Sequence, residues 1–439
     1  MPAARFTTCS TLALLLTAAC AELGHAANWA VTRVNHTLLT PPTGVTVAEM
    51  SGVTYVGEVD GLSRFIAAEE TKGELIQFDL AFNAAGGIAS VTNITPIDLV
   101  ATNDFEGIAY TNPARNSVFL ASENGVGLRE VSLATGANLQ NVTLPAVFAN
   151  ARANLSFESL TRAADGRAMW TANEQALTVD GPTATAAAGT TVRLLKLNVD
   201  GNAVTPSSQF AYQVDPIHGT STLGSPQSGL SDLTLMPDGT LLALERSVAV
   251  TTPIYRDRIY EVDFTGVTDV SVAPYDAGLS GKSFTAVGKS LLWSGAIDAG
   301  LGQNMEGLTL GPRLPNGDWS LIGVVDNGDG SSGNTLVAFT AHLVPSADFN
   351  ADGAIDGADF LQWQRGAGLA ANATHQEGDA NLDGKIDAAD LNIWKAAFGG
   401  AAASAVQPIP EPVAATLAII AIAAIHPRIK KPRSSIAGI

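Results

Sequence analysis

"DFEGIAYTNPARNSVFLASEN", Asp104 to Asn124, is the stretch whose reading decides the fold. An apolar run opens on two acids, turns at Asn112-Pro113, and a second apolar run returns to end beside Glu123. Two such runs joined by turn residues form a β-hairpin. The pattern recurs four times. "EMSGVTY" from Glu49 precedes "RFIAAEE", and "SFESLTR" from Ser156 precedes "RAMWTANE". "GLSDLTL" from Gly229 precedes "TLLALERS", and "NMEGLTL" from Asn304 precedes "WSLIGVVDNG". Aligned on Gly52, Gly107, Ser159, Asp232 and Gly307, the copies stand 55, 52, 73 and 75 residues apart.

Two more alternating runs complete each unit. They are "GLREVSL" and "LQNVTL" in the second copy, and "RIYEVDF" and "DVSVAPY" in the fourth. Four antiparallel strands in a repeat of roughly fifty residues is the signature of a β-propeller. The last copy runs out after "NTLVAFTAHLV", and the N-terminal "WAVTRVNHTLL" is expected to supply its missing strand. The expected fold class is all-β, a propeller over 27–344 with five blades. Six blades result if 276–303 is a degenerate blade and not a helical insertion. Composition agrees: 46% hydrophobic residues build a large core, and 15% charged residues with 43 glycines suit a turn-rich β protein. A net charge of −18 excludes nucleic acid as a partner and is compatible with binding cations.

The start of one strand and the end of its antiparallel partner lie on the same edge of a sheet. One face therefore collects two rings of acids. Glu49, Glu106, Glu158, Asp232 and Glu306 form the inner ring; Glu70, Glu123, Glu174, Glu245 and Asp326 form the outer one. Carboxylates this dense raise one another's pKa or recruit cations. Oxygen-only ligands suit Ca2+ over Zn2+. Such a cluster would grip a phosphate and activate water, with protonated Glu as general acid. Alternatively, the acids bond backbone N–H groups and fix blade to blade. Arg162, Arg246 and Lys72 are expected near this edge, to bind substrate phosphate or to neutralise neighbours. Serine-nucleophile chemistry is not expected. There is no G-x-S-x-G elbow, and none of His36, His218 and His342 stands by a Ser-Asp pair.

After the repeats come "DFNADGAIDGAD" (348–359) and "DANLDGKIDAAD" (379–390). Each places oxygen side chains at positions one, three, five, nine and twelve of an EF-type loop, with Gly at six for the sharp turn. The ligands are Asp348, Asn350, Asp352, Asp356 and Asp359, then Asp379, Asn381, Asp383, Asp387 and Asp390. Each loop leads into a run with helical spacing, and two Ca2+ ions are expected. Asp replaces the usual Glu at position twelve, and no obvious helix precedes the first loop. In both respects the pair resembles a dockerin type I repeat (345–400), which implies a cohesin-like protein partner. Without a partner, the helices form a calcium-stapled spacer.

The ends read as addresses. Arg5, an apolar run from Leu12 to Ala21 and small residues to Ala26 form a secretory signal over 1–26, with a lipoprotein signal at "LTAAC" the alternative. Its removal takes Cys9 and Cys20, the two cysteines, and leaves no disulfide or thiolate site. A linker over 401–407 leads to 408–439. There Pro410-Glu411-Pro412, a largely apolar stretch of thirteen residues from Val413 to Ile425 and a basic cluster resemble a PEP-CTERM sorting signal. That implies export, then anchoring or cleavage by the sorting machinery of the envelope, with an ordinary C-terminal membrane anchor the alternative. Thirteen residues are short for a spanning helix, which needs about 20.

The order "DFEGIAY", "SFESLTRAADGRAMWTANE", "GLSDLTLMPDGTLLALERS", "NMEGLTLGPRLPNGDWSLIGVVDN" resembles the phytase-like family, also called esterase-like activity of phytase. The resemblance covers most of 45–342. It implies a secreted propeller acting on a small ester or phosphoester. It carries over Glu106, Glu158, Glu174, Glu245 and Glu306 as site residues. The first and fourth copies depart from the pattern, with Ser51 and Ser231 in the Glu column.

Overall fold

Twenty strands pair into five four-stranded antiparallel sheets in the computed structural model, which describes residues 28–399 apart from 71, 220–227, 251–252, 298–302, 328–333, 351 and 372. The export signal, the linker and the sorting segment lie outside the described residues, as do both cysteines. Among the described residues, no helix is long and apolar enough to cross a membrane.

The sheets are the five blades of a propeller. The first holds Met50–Val59, Leu62–Glu69, Glu74–Phe82 and Ile88–Asp98. The second holds Phe105–Tyr110, Ser117–Ser122, Gly127–Ser132 and Asn138–Val142, and the third Thr161–Arg162, Ala168–Ala172, Thr190–Asp200 and Ala203–Val214. The fourth holds Ser228–Leu235, Leu241–Val248, Tyr255–Asp263 and Gly288–Gly295. In the fifth, Asn304–Arg313, Trp319–Asp326 and Thr335–Leu343 are completed by Trp29–Leu38, as the pattern predicts. Trp29 pairs with Leu343 and Leu38 with Thr335, so the two ends of the ring are sewn into one sheet. Glu261 of the fourth blade accepts the amide protons of Asn28 and Trp29, anchoring the entry of this strand.

A blade is apolar on both faces because each face meets a neighbour, and there is one core per junction. Ile66 and Leu75 meet Phe105 and Leu120 between blades one and two. Phe119 meets Phe157 and Leu195 across the next junction. Tyr212 and Leu194 meet Leu230 and Leu241, and Leu242 and Ile259 meet Met305 and Phe339. Phe65 and Phe78 meet Ile322 and Leu336 where the ring closes. Burying this apolar surface is what holds the blades together.

Around the axis the innermost strands approach backbone to backbone, which explains the glycine column. A Cβ on Gly52 would stand 2.2 Å from the Glu106 carbonyl oxygen, and one on Gly307 2.4 Å from that of Ser51. In the fourth blade Asp232 fills the column differently. Its carboxylate accepts the N–H of Leu233 (2.8 Å) and of Leu308 in the next blade (2.7 Å). For this residue the blade-to-blade tie describes what is present.

Every innermost strand is also bulged at the same place. Register shifts by one residue between Met50 and Val53, Phe105 and Ile108, Leu230 and Asp232, and Met305 and Gly307. In the third blade the same step separates the Phe157–Asn173 pairing from Thr161–Trp170. A bulge leaves one residue unpaired and re-aims its side chain. Glu106, Glu158 and Glu306 occupy these bulges.

One expectation is corrected. The fourth strand of blade four is Gly288–Gly295, not "DVSVAPY", and the described part of 276–303 forms neither a helix nor a sixth blade. The segment from 264 to 287 crosses the edge of blade three, where the fully buried Arg193 holds it. That guanidinium ion-pairs with Asp180 and donates to the carbonyls of Val270 (3.1 Å) and Tyr275 (2.9 Å). Val270 and Leu279 then pack on Ala211.

Gly307→Ala is expected to cost about 1–3 kcal/mol of stability, because its methyl group would strike the neighbouring strand's backbone. Urea denaturation reads this directly. An unchanged midpoint would contradict the close approach.

Candidate functional site

The bulges and the ends of the second strands gather eight carboxyl groups at one end of the axis. Three sets each gather ligand oxygens within 4.8 Å of one another: Glu70, Asp104 and Glu106; Glu70, Glu306 and Asp326; and Glu123, Glu158 and Glu174. Glu70, Glu123 and Glu174 each follow the second strand of a blade. Their amides donate to the carbonyls of Glu49 (3.2 Å), Asp104 (3.1 Å) and Ser156 (2.7 Å), so one backbone bond places all three. Gly229 gives Glu174 its room, since a Cβ there would stand 2.4 Å from the carboxylate.

Arg246 reaches into the group from blade four. Its guanidinium donates to Glu174 (2.8 Å), to Glu306 and to the side-chain oxygen of Asn304 (2.8 Å). The Asn304 amide donates in turn to Glu306 and Asp326, at 2.9 Å each. Asn124 donates to Asp104, and the Ser156 N–H to Glu123 at 3.2 Å. Among the described residues, the carboxyl groups of Glu70, Glu106 and Glu158 take no backbone N–H.

One guanidinium does not balance eight acids, and burial sharpens the conflict. Burial, then repulsion from Glu306, Asp326, Asp104 and Glu49, pushes Glu70 up to about 10. Glu106 rises well above the carboxylate range through burial and then Glu70; Glu158 does so through burial and then Glu106. Burial raises Glu306 to about 8 against the pull of Arg246. It raises Glu123 to about 7 against a hydrogen bond from Glu158. Glu174 also rises by burial, opposed by Arg246. The donors are all oxygens and carry excess negative charge, a set that fits a hard divalent cation.

Other residues expected at this edge lie elsewhere or are engaged. Glu245 is fully buried and accepts from Tyr212 (2.8 Å), Lys289 (2.5 Å) and the Asp215 N–H (3.0 Å), outside the three sets. Lys72 bonds Glu69 (2.8 Å) and the Thr46 carbonyl (3.3 Å). Arg162 is not at the acidic edge: it closes the short strand Thr161–Arg162 at the end away from Glu158. There it donates to the carbonyls of Thr111 (2.6 Å) and Gly166 (3.0 Å). His218 does bond a serine, Ser247, at 2.8 Å, but that serine is wholly buried and unavailable to a substrate. Asp104 and Asn304 join the group without having been expected as site residues; the two acids opening "DFEGIAY" are the sequence signal for the first.

The two loops share their main backbone-to-carboxylate bonds. Position-one Asp348 accepts from the amides of Asp352 (3.1 Å) and Gly353 (2.9 Å); Asp379 accepts from Asp383 (3.2 Å) and Gly384 (2.7 Å). Position-twelve Asp359 accepts from Phe349 and Asp356, both at 2.8 Å; Asp390 accepts from Ala380 (2.9 Å) and Asp387 (2.8 Å). Gly353 and Gly384 share a φ of +82°, which only glycine adopts without strain. Positions nine and twelve also form the capping boxes of helices Gly357–Gly366 and Ala388–Ala397. Trp363 donates to the Asp387 carbonyl (3.1 Å) and Trp394 to that of Asp356 (2.9 Å), a reciprocal clasp. Buried Ile355 and Ile386 pack inward.

The family model for the esterase-like activity of phytase matches residues 45–329. The chain belongs to the phytase-like family. The dockerin type I domain model matches 346–399 of this phytase-like chain. Dockerin type I domains typically bind calcium and cohesin partners. No curated protein matches the chain. Among solved structures, a luciferin-regenerating enzyme is 11% identical, with a TM-score of 0.32 over 67% of this chain and 91% of its own. A chain of the Polycomb Repressive Complex 2 of Chaetomium thermophilum is 10% identical, with a TM-score of 0.32 over 67% of this chain and 72% of its own. Kluyveromyces lactis Hsv2 is 9% identical, with a TM-score of 0.24 over 56% of this chain and 62% of its own. Likenesses this distant carry no inference about chemistry.

Glu123, Glu306 and Glu70 are raised from the usual 4.5 to about 7, 8 and 10. Without cations, the folded protein therefore holds more protons than the unfolded chain across that window. Its stability falls as pH rises. Melting temperature in chelator is expected to drop between about pH 5 and 8, less steeply in Glu106→Gln, and to recover with calcium. A flat or rising profile would contradict the shifts.

Proposed function

We propose that the phytase-like propeller is a metal-assisted ester hydrolase with the acidic face as its active site. One observation supports the reading: Glu70, Glu106 and Glu158 stand in these groups, and among the described residues no backbone amide engages their carboxyl groups. Acids that served to tie blade to blade would be bonded as Asp232 is. Glu70, Asp104, Glu106, Glu306 and Asp326 are the residues that would hold a cation. A bound divalent ion supplies Lewis-acid polarisation and lowers the pKa of water.

The roles of the chain's own groups follow from their environments. Glu158 keeps its proton, donates it toward Glu123, and is the general acid for the leaving oxygen. Glu123, poised at about 7, is the matching base. Arg246 holds Glu174 and Glu306 apart and fixes their orientation. The substrate is a small phosphoester or carboxylester.

A second reading is a non-catalytic cell-surface scaffold. The ion-paired Glu245 and the tied Asp232 suit it; Glu106 and Glu158 do not. In either reading the loops at 348–359 and 379–390 take up Ca2+ and present the helices to a cohesin-like protein. The dockerin match supports an extracellular or cell-surface location. The signal at 1–26 and the sorting segment at 408–439, handled by the envelope's sorting machinery, complete this assignment.

Hydrolysis of p-nitrophenyl phosphate and of a p-nitrophenyl carboxylester, with calcium or chelator, tests the proposal. The wild type is expected to turn over at least one ester with calcium, and Glu158→Gln to lose about 100-fold or more. No turnover of either ester by the wild type would favour the scaffold.

A further inference from the structure

A cleft of about 390 Å³ opens between blades two and three, lined by Thr111, Asn112, Arg115, Phe119, Arg162 and Asn202 among others. Thr111 and Arg162 adjoin the ends of their innermost strands opposite the acids Glu106 and Glu158. Arg162 lies four residues beyond Glu158, up to roughly 13 Å of extended chain at 3.3 Å per residue. The cleft is thus distinct from the acidic face.

Its charge is unbalanced. Arg115 is paired by both arms with the buried Glu130 and also bonds Asn202. Ser117 and Gln140 use the remaining capacity of Glu130, at 2.5 and 2.7 Å. Arg162 has no carboxylate within ion-pairing distance among the described residues. Of its five N–H donors, two are met by the carbonyls of Thr111 and Gly166, and its Nε is buried without a partner. Burial lowers its pKa, and Arg115 nearby lowers it further against Asp165 and Glu130. A half-buried guanidinium whose Nε is desolvated and unbonded gains from an oxyanion that bonds it. Its planar fork matches phosphate and carboxylate oxygens. Phe119 supplies an apolar wall beside it.

We propose that this cleft binds a small oxyanion, a phosphate or carboxylate group held by Arg162. In a chain of net charge −18 it is a local site of the opposite sign. Inorganic phosphate and acetate, titrated separately by calorimetry into the full-length protein, distinguish the two anion classes. Arg162→Gln is expected to weaken the bound anion at least 10-fold. Ala114→Trp, on an exposed loop at the cleft's rim, is expected to do the same without touching Arg162. Glu158→Gln should leave the affinity unchanged. The proposal is overturned if neither anion binds saturably. It also falls if binding survives both cleft variants, or if it is lost in Glu158→Gln and kept in Arg162→Gln.

Discussion

One extra residue in each innermost strand is the constraint on which the acidic face depends. An unbulged strand sends alternate side chains into the two junctions beside its blade, where the cores are apolar. The shift at Phe105–Ile108, and its equivalents in the other blades, takes one position out of that alternation. An acid at that position is thereby spared the core. The glycines that follow let adjoining strands close around the axis. The five apolar junctions then hold the geometry.

What the fold concentrates, electrostatics must relieve. Eight buried or half-buried carboxyl groups crowd here, and Arg246 pairs with two of them, Glu174 and Glu306. Like charges at these separations in a desolvated site are relieved by protons or by cations. A single arrangement can thus provide both a proton-holding acid and a cation-binding set. The tension is not uniform. Asp232 and Glu245 lie outside the group, the first bonded to backbone amides and the second to Lys289 and Tyr212, though burial raises both.

The blades were legible because their evidence is local: alternation, turn residues and a repeated column. The closing strand followed from counting strands in the last copy. The loops were legible because ligand positions are fixed by spacing alone. The direction of a side chain was harder to read. Glu245 pairs with Leu230 as Asn173 pairs with Phe157, so Arg246 and not Glu245 holds the position of Glu174, and Lys289 from two strands away claims Glu245. Arg162 sits four residues from Glu158 in sequence and at the other end of the strand in space. The crossing segment before the last strand of blade four alternates like a strand, yet Arg193, in another blade, organises it through backbone carbonyls. Such contacts leave no periodic trace in the sequence.

The most direct test of a cation-holding acidic face is crystallography with calcium, using anomalous scattering to locate the ions. The account predicts density among Glu70, Asp104, Glu106, Glu306 and Asp326, in addition to the two loops. Ions confined to the loops, with these carboxyl groups bonded to one another or to water alone, would contradict it.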